Sequence, residues 1–176
     1  MIDAMALIKN GNKKQREAYE AIQSLGILHD FSSYTPLLCG TIPLDIDHDQ
    51  SDLDMVLRAE DLTELARELK EKYGEYEAFS QKRVAARGNE VLVTNFFFQG
   101  FEFELYAQNE RTEEQYGYLH MVVEYKVLKD HPEWKQLIRE KKKKGTKTEP
   151  AFCEMLELEG DPYEELIQYG RKKAYI

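Results

Sequence analysis

The segment Leu37 to Leu57, LLCGTIPLDIDHDQSDLDMVL, constrains this chain more than any other. A short apolar run, Leu37-Leu38-Cys39, meets Gly40-Thr41. After an acidic loop, Ser51-Asp52-Leu53-Asp54 leads into a second apolar run, Met55-Val56-Leu57. Successive side chains of a strand point to opposite faces, so Asp52 and Asp54 emerge side by side on one face. Two carboxylates held that close at the start of a buried strand repel each other, and a cation between them relieves the repulsion. Hard divalent ions such as Mg²⁺ choose all-oxygen ligands of this kind. The Gly-Thr turn upstream offers backbone N–H groups and a hydroxyl, which suit a phosphate oxygen. A metal beside a phosphate cradle is the equipment for phosphoryl or nucleotidyl transfer.

Calcium is a competing reading, because Asp45-Ile46-Asp47-His48-Asp49-Gln50-Ser51 alternates acids as an EF-hand loop does. The remaining positions fail. Counting from Asp45, Gln50 stands where the loop needs Gly and Val56 where it needs Glu; frames starting at Asp47 or Asp49 fail as well.

A third acid is expected from a neighbouring strand, since one ion must also bind and activate the attacking hydroxyl. Phe101 to Tyr106 alternates cleanly, with Phe101, Phe103 and Leu105 packing one way and Glu102, Glu104 and Tyr106 facing the other. The alternation admits either glutamate.

Gly40-Thr41 followed by Ser51-Asp52-Leu53-Asp54 resembles the DNA polymerase beta-like nucleotidyltransferase superfamily. Its members carry Gly-Ser or Gly-Gly after a first strand and Asp-x-Asp on the next. This likeness covers residues of about 35 to 110. The stretches GTIP (40–43), SDLD (51–54), GYLHM (117–121) and KTEPAF (147–152) look like an uncharacterised bacterial branch, a domain of unknown function, over about residues 15 to 170. Thr41 in place of Ser keeps the hydroxyl, whereas Ile42-Pro43-Leu44 departs from the helix-forming residues usual after the glycine. The resemblance implies metal ligation and catalysis by Asp52, Asp54 and Glu104, the last because the branch places its acid before a Leu-Tyr-Ala-Gln-like strand end. It implies nucleotide binding by Gly40, Thr41, Ser51 and Lys147, with two Mg²⁺ ions and a nucleoside triphosphate as substrate. The expected reaction moves a nucleoside monophosphate to a hydroxyl of a small molecule, a protein or an RNA end. The alternative is a catalytically silent relative that binds a nucleotide or a protein. Small superfamily members often work with a helical partner, so such a partner or a homodimer is expected.

With 176 residues the chain has enough length to bury one good core, so one domain over 1–176 is expected, its core about 30–110 and a helical portion about 111–176. Hydrophobic content of 42% with 32% charged residues fits a soluble globular protein. No apolar stretch approaches membrane-spanning length and no signal-peptide pattern opens the chain, so a cytoplasmic location is expected. Cys39 and Cys153 sit in apolar contexts and read as reduced core residues. A net charge of −9 argues against broad nucleic-acid binding, which needs a basic face.

Periodicity predicts an α+β chain with one mixed, nucleotidyltransferase-like sheet flanked by helices. Helices are expected from Asn12 to Leu25 and across the stripe Leu62, Leu65, Ala66, Leu69 and Tyr73, the second opened by an Asp61–Glu64 capping box and closed by Gly74. Strands are expected at Thr35–Cys39, Asp52–Arg58, Tyr76–Ser80, Lys82–Arg87, Glu90–Gln99 and Phe101–Ala107, with turns at Gly88-Asn89 and Gln99-Gly100. Four helices follow: one capped by Thr112 and Gln115 and running to about Lys129, one from Pro132 to near Gly145, and two at Thr148–Glu157 and Pro162–Gly170.

Other polar residues are weaker candidates. The basic run from Arg139 to Lys144 reads as cations opposing a helix dipole before Gly145. Lys147-Thr148-Glu149-Pro150 opens a helix, with Thr148 as expected N-cap. Lys82, Arg83 and Arg87 on one hairpin are further phosphate options. His120 and Glu124 are one helical turn apart, and the histidine reads as a packing residue; His48 lies in the acidic loop. Trp134 and the 11 tyrosines serve packing, with base stacking as a further use.

Overall fold

Alternation in two strands decides which way this sheet faces. The structure, a computed structural model, describes residues 2–176. Its strands are β1 (Leu37–Leu38), β2 (Leu53–Arg58), β3 (Ser80–Ala86), β4 (Asn89–Phe98) and β5 (Phe101–Gln108). They form one mixed sheet in the order β1-β2-β5-β4-β3, in which β2 and β5 run parallel and the other neighbours antiparallel. Eight helices flank it among the described residues: α1 (Ala4–Lys9), α2 (Lys13–Leu25), α3 (Ile27–Asp30), α4 (Leu62–Tyr73), α5 (Tyr116–Asp130), α6 (Trp134–Lys143), α7 (Thr148–Met155) and α8 (Pro162–Lys172). The α+β class and the mixed sheet are as the sequence predicts.

Leu53, Met55 and Leu57 on β2 register with Phe103, Leu105 and Ala107 on β5, and all six are buried on one face. Tyr73 of α4 packs there against Phe96 of β4 with ring centroids 4.9 Å apart, and Phe96 stacks on Phe103 at 5.3 Å. Burying such rings, each with its specific edge or offset geometry, is what fixes α4 on this side. The opposite face then carries Asp54 and Val56 beside their register partners Glu104 and Tyr106.

Several local expectations are corrected. Tyr76–Ser80 is a turn, because Tyr76 folds back to stack on Tyr73 and Phe96, and β3 starts only at Ser80. The first hairpin turns at Arg87-Gly88 rather than Gly88-Asn89, with φ of 49° and 80°; Gln99-Gly100 turns the second with 47° and 83°. Two left-handed residues in succession give the turn twist that matches the flanking strands. Asp61 caps α4 by accepting from Thr63 and Glu64 N–H, while Glu64 itself reaches towards Arg67, so the reciprocal box is not formed. Gly74 ends α4 in right-handed geometry. Thr148 is the first residue of α7, and Lys147 occupies the N-cap position. The short α1, capped by Asp3, carries too few apolar positions to stand out as periodic.

Thr112 and Gln115 do not form a capping box either. Thr112–Glu114 is a 3₁₀ turn, and the fully buried Gln115 donates through Nε2 to Leu57 O at 2.8 Å and Glu110 O at 3.0 Å. One side chain thus ties the start of α5 to the end of β2. Gln115→Ala is expected to cost about 2–3 kcal/mol, because it leaves a buried carbonyl unpaired as well as a small void. Urea unfolding checks this, with a thermal midpoint lowered by roughly 5–10 °C for a chain of this size.

Candidate active site

β2 begins its pairing with β5 where two acids fall in register, Asp54 opposite Glu104. In a parallel pair, residues in register point to the same side, so strand geometry alone brings the two carboxylates together. Asp52, two residues earlier, joins them. One carboxylate oxygen each from Asp52, Asp54 and Glu104 lies within 4.8 Å of the others, and all three residues are half-buried. Glu102 shares the face of Glu104 but stands outside this group. Asn95 on β4 donates to both glutamates at 3.4 Å, tethering one oxygen of Glu104 from the side away from the aspartates.

The repulsion expected within such a group is visible at Asp54. Burial first, then the charges of Asp52 and Glu104, push its carboxyl well above the usual range, and Lys142 opposes them. An all-oxygen set of three acids with this mutual strain fits hard divalent cations.

Gly40 stands directly against the group. Its φ of 76° is left-handed, and a Cβ built on it would lie 1.9 Å from Asp54 Oδ2. Both the backbone conformation and the approach of the carboxylate therefore require glycine. Cys39 N–H donates to Asp54 O at 2.9 Å, which fixes the strand end before the turn. Beyond it, Thr41 Oγ1 donates to Ser51 Oγ at 3.5 Å, and Ser51 Oγ accepts from His48 N–H at 3.0 Å. Ile42-Pro43-Leu44 forms a turn anchored by buried Ile42, Leu44 and Ile46, and Gln15 Nε2 donates to Ile42 O at 2.8 Å.

The acidic loop is latched to the helices. Asp45 pairs with Arg139 and Lys135 of α6 and accepts from Asn12, while Asp47 pairs with Lys14 at 2.8 Å. Its first two acids are thus spent on cations of the chain, which accords with the failure of every EF-hand frame.

Facing the acids across a cavity of about 1360 Å³ are α5, α6 and the start of α7. Gly40, Thr41, Ser51, Asp52, Asp54, Glu104 and Lys147 all line this one cavity, so the structure gathers every site residue expected from the sequence. Lys147 is exposed at its edge. Of the hairpin cations, Arg87 reaches the cavity, lying 3.9 Å from the Tyr116 ring centroid and 3.1 Å from Glu164, whereas Arg83 pairs with Glu90.

Three residues on the helical wall are not anticipated by the sequence reading as site residues. Glu124 is 3% exposed and Lys142 9%, and both face the cavity together with Glu149. Burial, then Glu149, raises the Glu124 carboxyl well above the usual range, with Lys142 opposing; burial lowers Lys142. His120 does not meet Glu124. Its Nε2 lies 2.8 Å from Tyr163 O and its Nδ1 3.5 Å from Glu149, and burial lowers its pKa. A signal was present for Glu124, an acid inside the apolar run Met121-Val122-Val123-Glu124-Tyr125 on the same helical face as Gly117 and His120. None marked Lys142, which looks like its neighbours in the lysine run.

The site and sheet together define a class of protein, the nucleotidyltransferase fold. A cytoplasmic RNA terminal U-transferase superposes with a TM-score of 0.52 at 13% identity over 73% of this chain and 40% of that one. The MgGTP-bound Cid1 poly(U) polymerase gives 0.54 at 10% over 77% and 44%. The polymerase core of TRAMP, an RNA surveillance complex, gives 0.53 at 18% over 89% and 49%. The chain therefore spans less than half the length of these structures, and at such identities the likeness is one of fold. Residues 20–169 match the family described as "Domain of unknown function (DUF4269)", and the chain belongs to that family. No curated protein matches it in sequence. No helix among the described residues is long and apolar enough to cross a membrane.

Two measurements test this geometry. Gly40→Ala is expected to destabilise by about 1–3 kcal/mol through its positive φ and the carboxylate contact. Combined with Asp54→Ala it should lose less than the sum of the two single variants, read from denaturant unfolding of all four proteins. Glu124→Gln is expected to stabilise the protein at pH 7–8 by at least about 1 kcal/mol. The folded protein holds the Glu124 proton more tightly than the unfolded chain, so this part of stability is full below the ordinary glutamate range. It falls as pH rises towards the raised value. The gain from Glu124→Gln should accordingly vanish near pH 4.

Proposed function

We propose that this protein is a divalent-metal-dependent nucleotidyltransferase that moves a nucleoside monophosphate from a nucleoside triphosphate to an acceptor hydroxyl. The convergence of Asp52, Asp54 and Glu104 beside the Gly40 turn carries this reading. In it the whole chain works as one unit, the sheet carrying the acids and the helices after residue 111 closing the cavity over them.

Asp52 and Asp54 would hold two Mg²⁺ ions between them, with Glu104 as the third ligand. Bound there, such ions neutralise triphosphate charge and lower the pKa of the acceptor hydroxyl. Gly40 and Thr41 offer backbone N–H donors to the β and γ phosphates, Thr41 gives its hydroxyl proton to Ser51, whose own hydroxyl proton is left for a phosphate oxygen, and Lys147 supplies a cation at the cavity edge. The acceptor oxygen forms a bond to the α-phosphorus in line as the bond to pyrophosphate breaks. Gly40 lets the donor-bearing turn lie directly against the Asp54 carboxylate, where a Cβ would stand 1.9 Å from Oδ2.

Incubation with α-labelled triphosphates, Mg²⁺ and a cell extract tests the proposal without assuming the acceptor. Label transfer is expected with the native chain, and a loss of at least about 10³-fold with Asp52→Asn, Asp54→Asn or Glu104→Gln while the fold is retained. Calorimetry should show metal-dependent triphosphate binding weakened by the same changes. Metal-dependent binding without transfer to any acceptor would instead favour the catalytically silent reading; a native rate in Asp52→Asn would overturn the assignment of the acids.

A further inference from the structure

The helical wall of the cavity carries two mostly buried ionisable side chains whose polar heads open on the cavity and have no hydrogen-bond partner among the described residues. Glu124 comes from α5 and Lys142 from α6; both are more than nine-tenths buried and both face the cavity. Neither makes a hydrogen bond or ion pair among the described residues. The other charges around them are spoken for: Glu149 lies against His120 Nδ1 at 3.5 Å, Asp47 pairs with Lys14 at 2.8 Å, and Asp54 belongs to the carboxylate group. With no protein partner on either head, one group seated in the cavity can serve both.

We propose that Glu124 and Lys142 frame the acceptor subsite and that its occupant is an uncharged, polyhydroxylated small molecule presenting a diol. This rests on the transfer reading above and names the substrate class for it. Chemistry selects the occupant by elimination. An ammonium group on the ligand satisfies Glu124 but is repelled by Lys142. A phosphate or carboxylate satisfies Lys142 but is repelled by Glu124 and Glu149. A hydroxyl donates to a carboxylate and accepts from an ammonium, so two adjacent hydroxyls satisfy both groups without adding charge. Along α5 from Glu124, Met121 and Gly117 also line the cavity, an apolar strip suited to the C–H face of a sugar or cyclitol ring. A diol held there shares the cavity with Asp54, which lines it as well. The terminal ribose of an RNA carries the same diol, but its phosphate chain would have to enter a protein of net charge −9.

Ligand-observed NMR on the full chain tests the subsite first without nucleotide and then with Mg²⁺ and α,β-methylene-ATP. The neutral probes are glucose, ribose and myo-inositol; their charged counterparts are glucosamine and glucose 6-phosphate, with a short RNA oligonucleotide as a further arm. At least one neutral probe should saturate, at least tenfold more tightly than the charged forms. Glu124→Gln should weaken it by a smaller factor than Glu124→Ala, and Lys142→Met at least tenfold, with binding of the triphosphate analogue to the Glu124 variants unchanged. Binding of a polyol with no nucleotide binding leaves the subsite standing and removes the transfer reading. Nucleotide binding with no saturable polyol, or tighter binding of glucosamine, glucose 6-phosphate or RNA, overturns the subsite.

Discussion

Mutual repulsion among Asp52, Asp54 and Glu104 is the constraint around which the structure is arranged. Parallel pairing of β2 with β5 puts Asp54 and Glu104 on the same side, with carboxylate oxygens within 4.8 Å of each other. A chain that tolerates this must supply compensating rigidity. Asn95 pins Glu104, the Cys39 N–H pins Asp54 through its carbonyl, and stacked Tyr73, Phe96 and Phe103 hold the strands from behind. Because Gly40 lies against the Asp54 carboxylate, the same repulsion also fixes which residue stands at the turn.

The helices after β5 turn this strained strand end into an enclosed site. Gln115 sets the first turn of α5 against β2, so the face that carries Gly117, His120, Met121 and Glu124 looks back across the cavity. On its other side α5 buries Val123 and Val127. Because α5 is buried around most of its surface, with Tyr118, Met121, Val122, Val123 and Val127 on different faces, it shows little amphipathic contrast. Fold likeness to RNA-modifying polymerases says nothing of what fills that cavity; the side chains on its wall do.

What could be read beforehand divides along physical lines. Period-two alternation in Phe101–Gln108 and the helical stripe of Leu62–Tyr73 are local signals, and both elements form where they point. Asp52 and Asp54 were legible because two acids spaced by one residue ahead of an apolar run share a face by strand geometry alone. Tyr76 was misread because its β-propensity competes with an aromatic contact made only after α4 docks. Gln115 reads locally as a cap, whereas its partner Leu57 lies 58 residues away in sequence. Lys142 illustrates the limit most sharply: within four consecutive lysines, only the angle of α6 against α7 decides which one is buried.

That angle also bears on the size of the acceptor. Although the chain has 24 Lys and Arg residues, those near the site are largely committed. Lys14, Lys135 and Arg139 hold the acidic loop, Arg87 is stacked on Tyr116 and paired with Glu164, and Lys141 is paired with Glu154. Lys142, Lys143 and Lys147 are what remain lining the cavity without an ion-pair partner among the described residues. With Lys142 assigned to the acceptor wall, Lys143 and Lys147 together with two divalent ions would match one triphosphate. A nucleic-acid strand needs a row of such contacts, one for each phosphate it presents, and each helix of the wall would have to be re-aimed to provide it. If the proposed transfer holds, the cations left free at this site suffice for one nucleotide and favour an acceptor that adds no phosphates of its own.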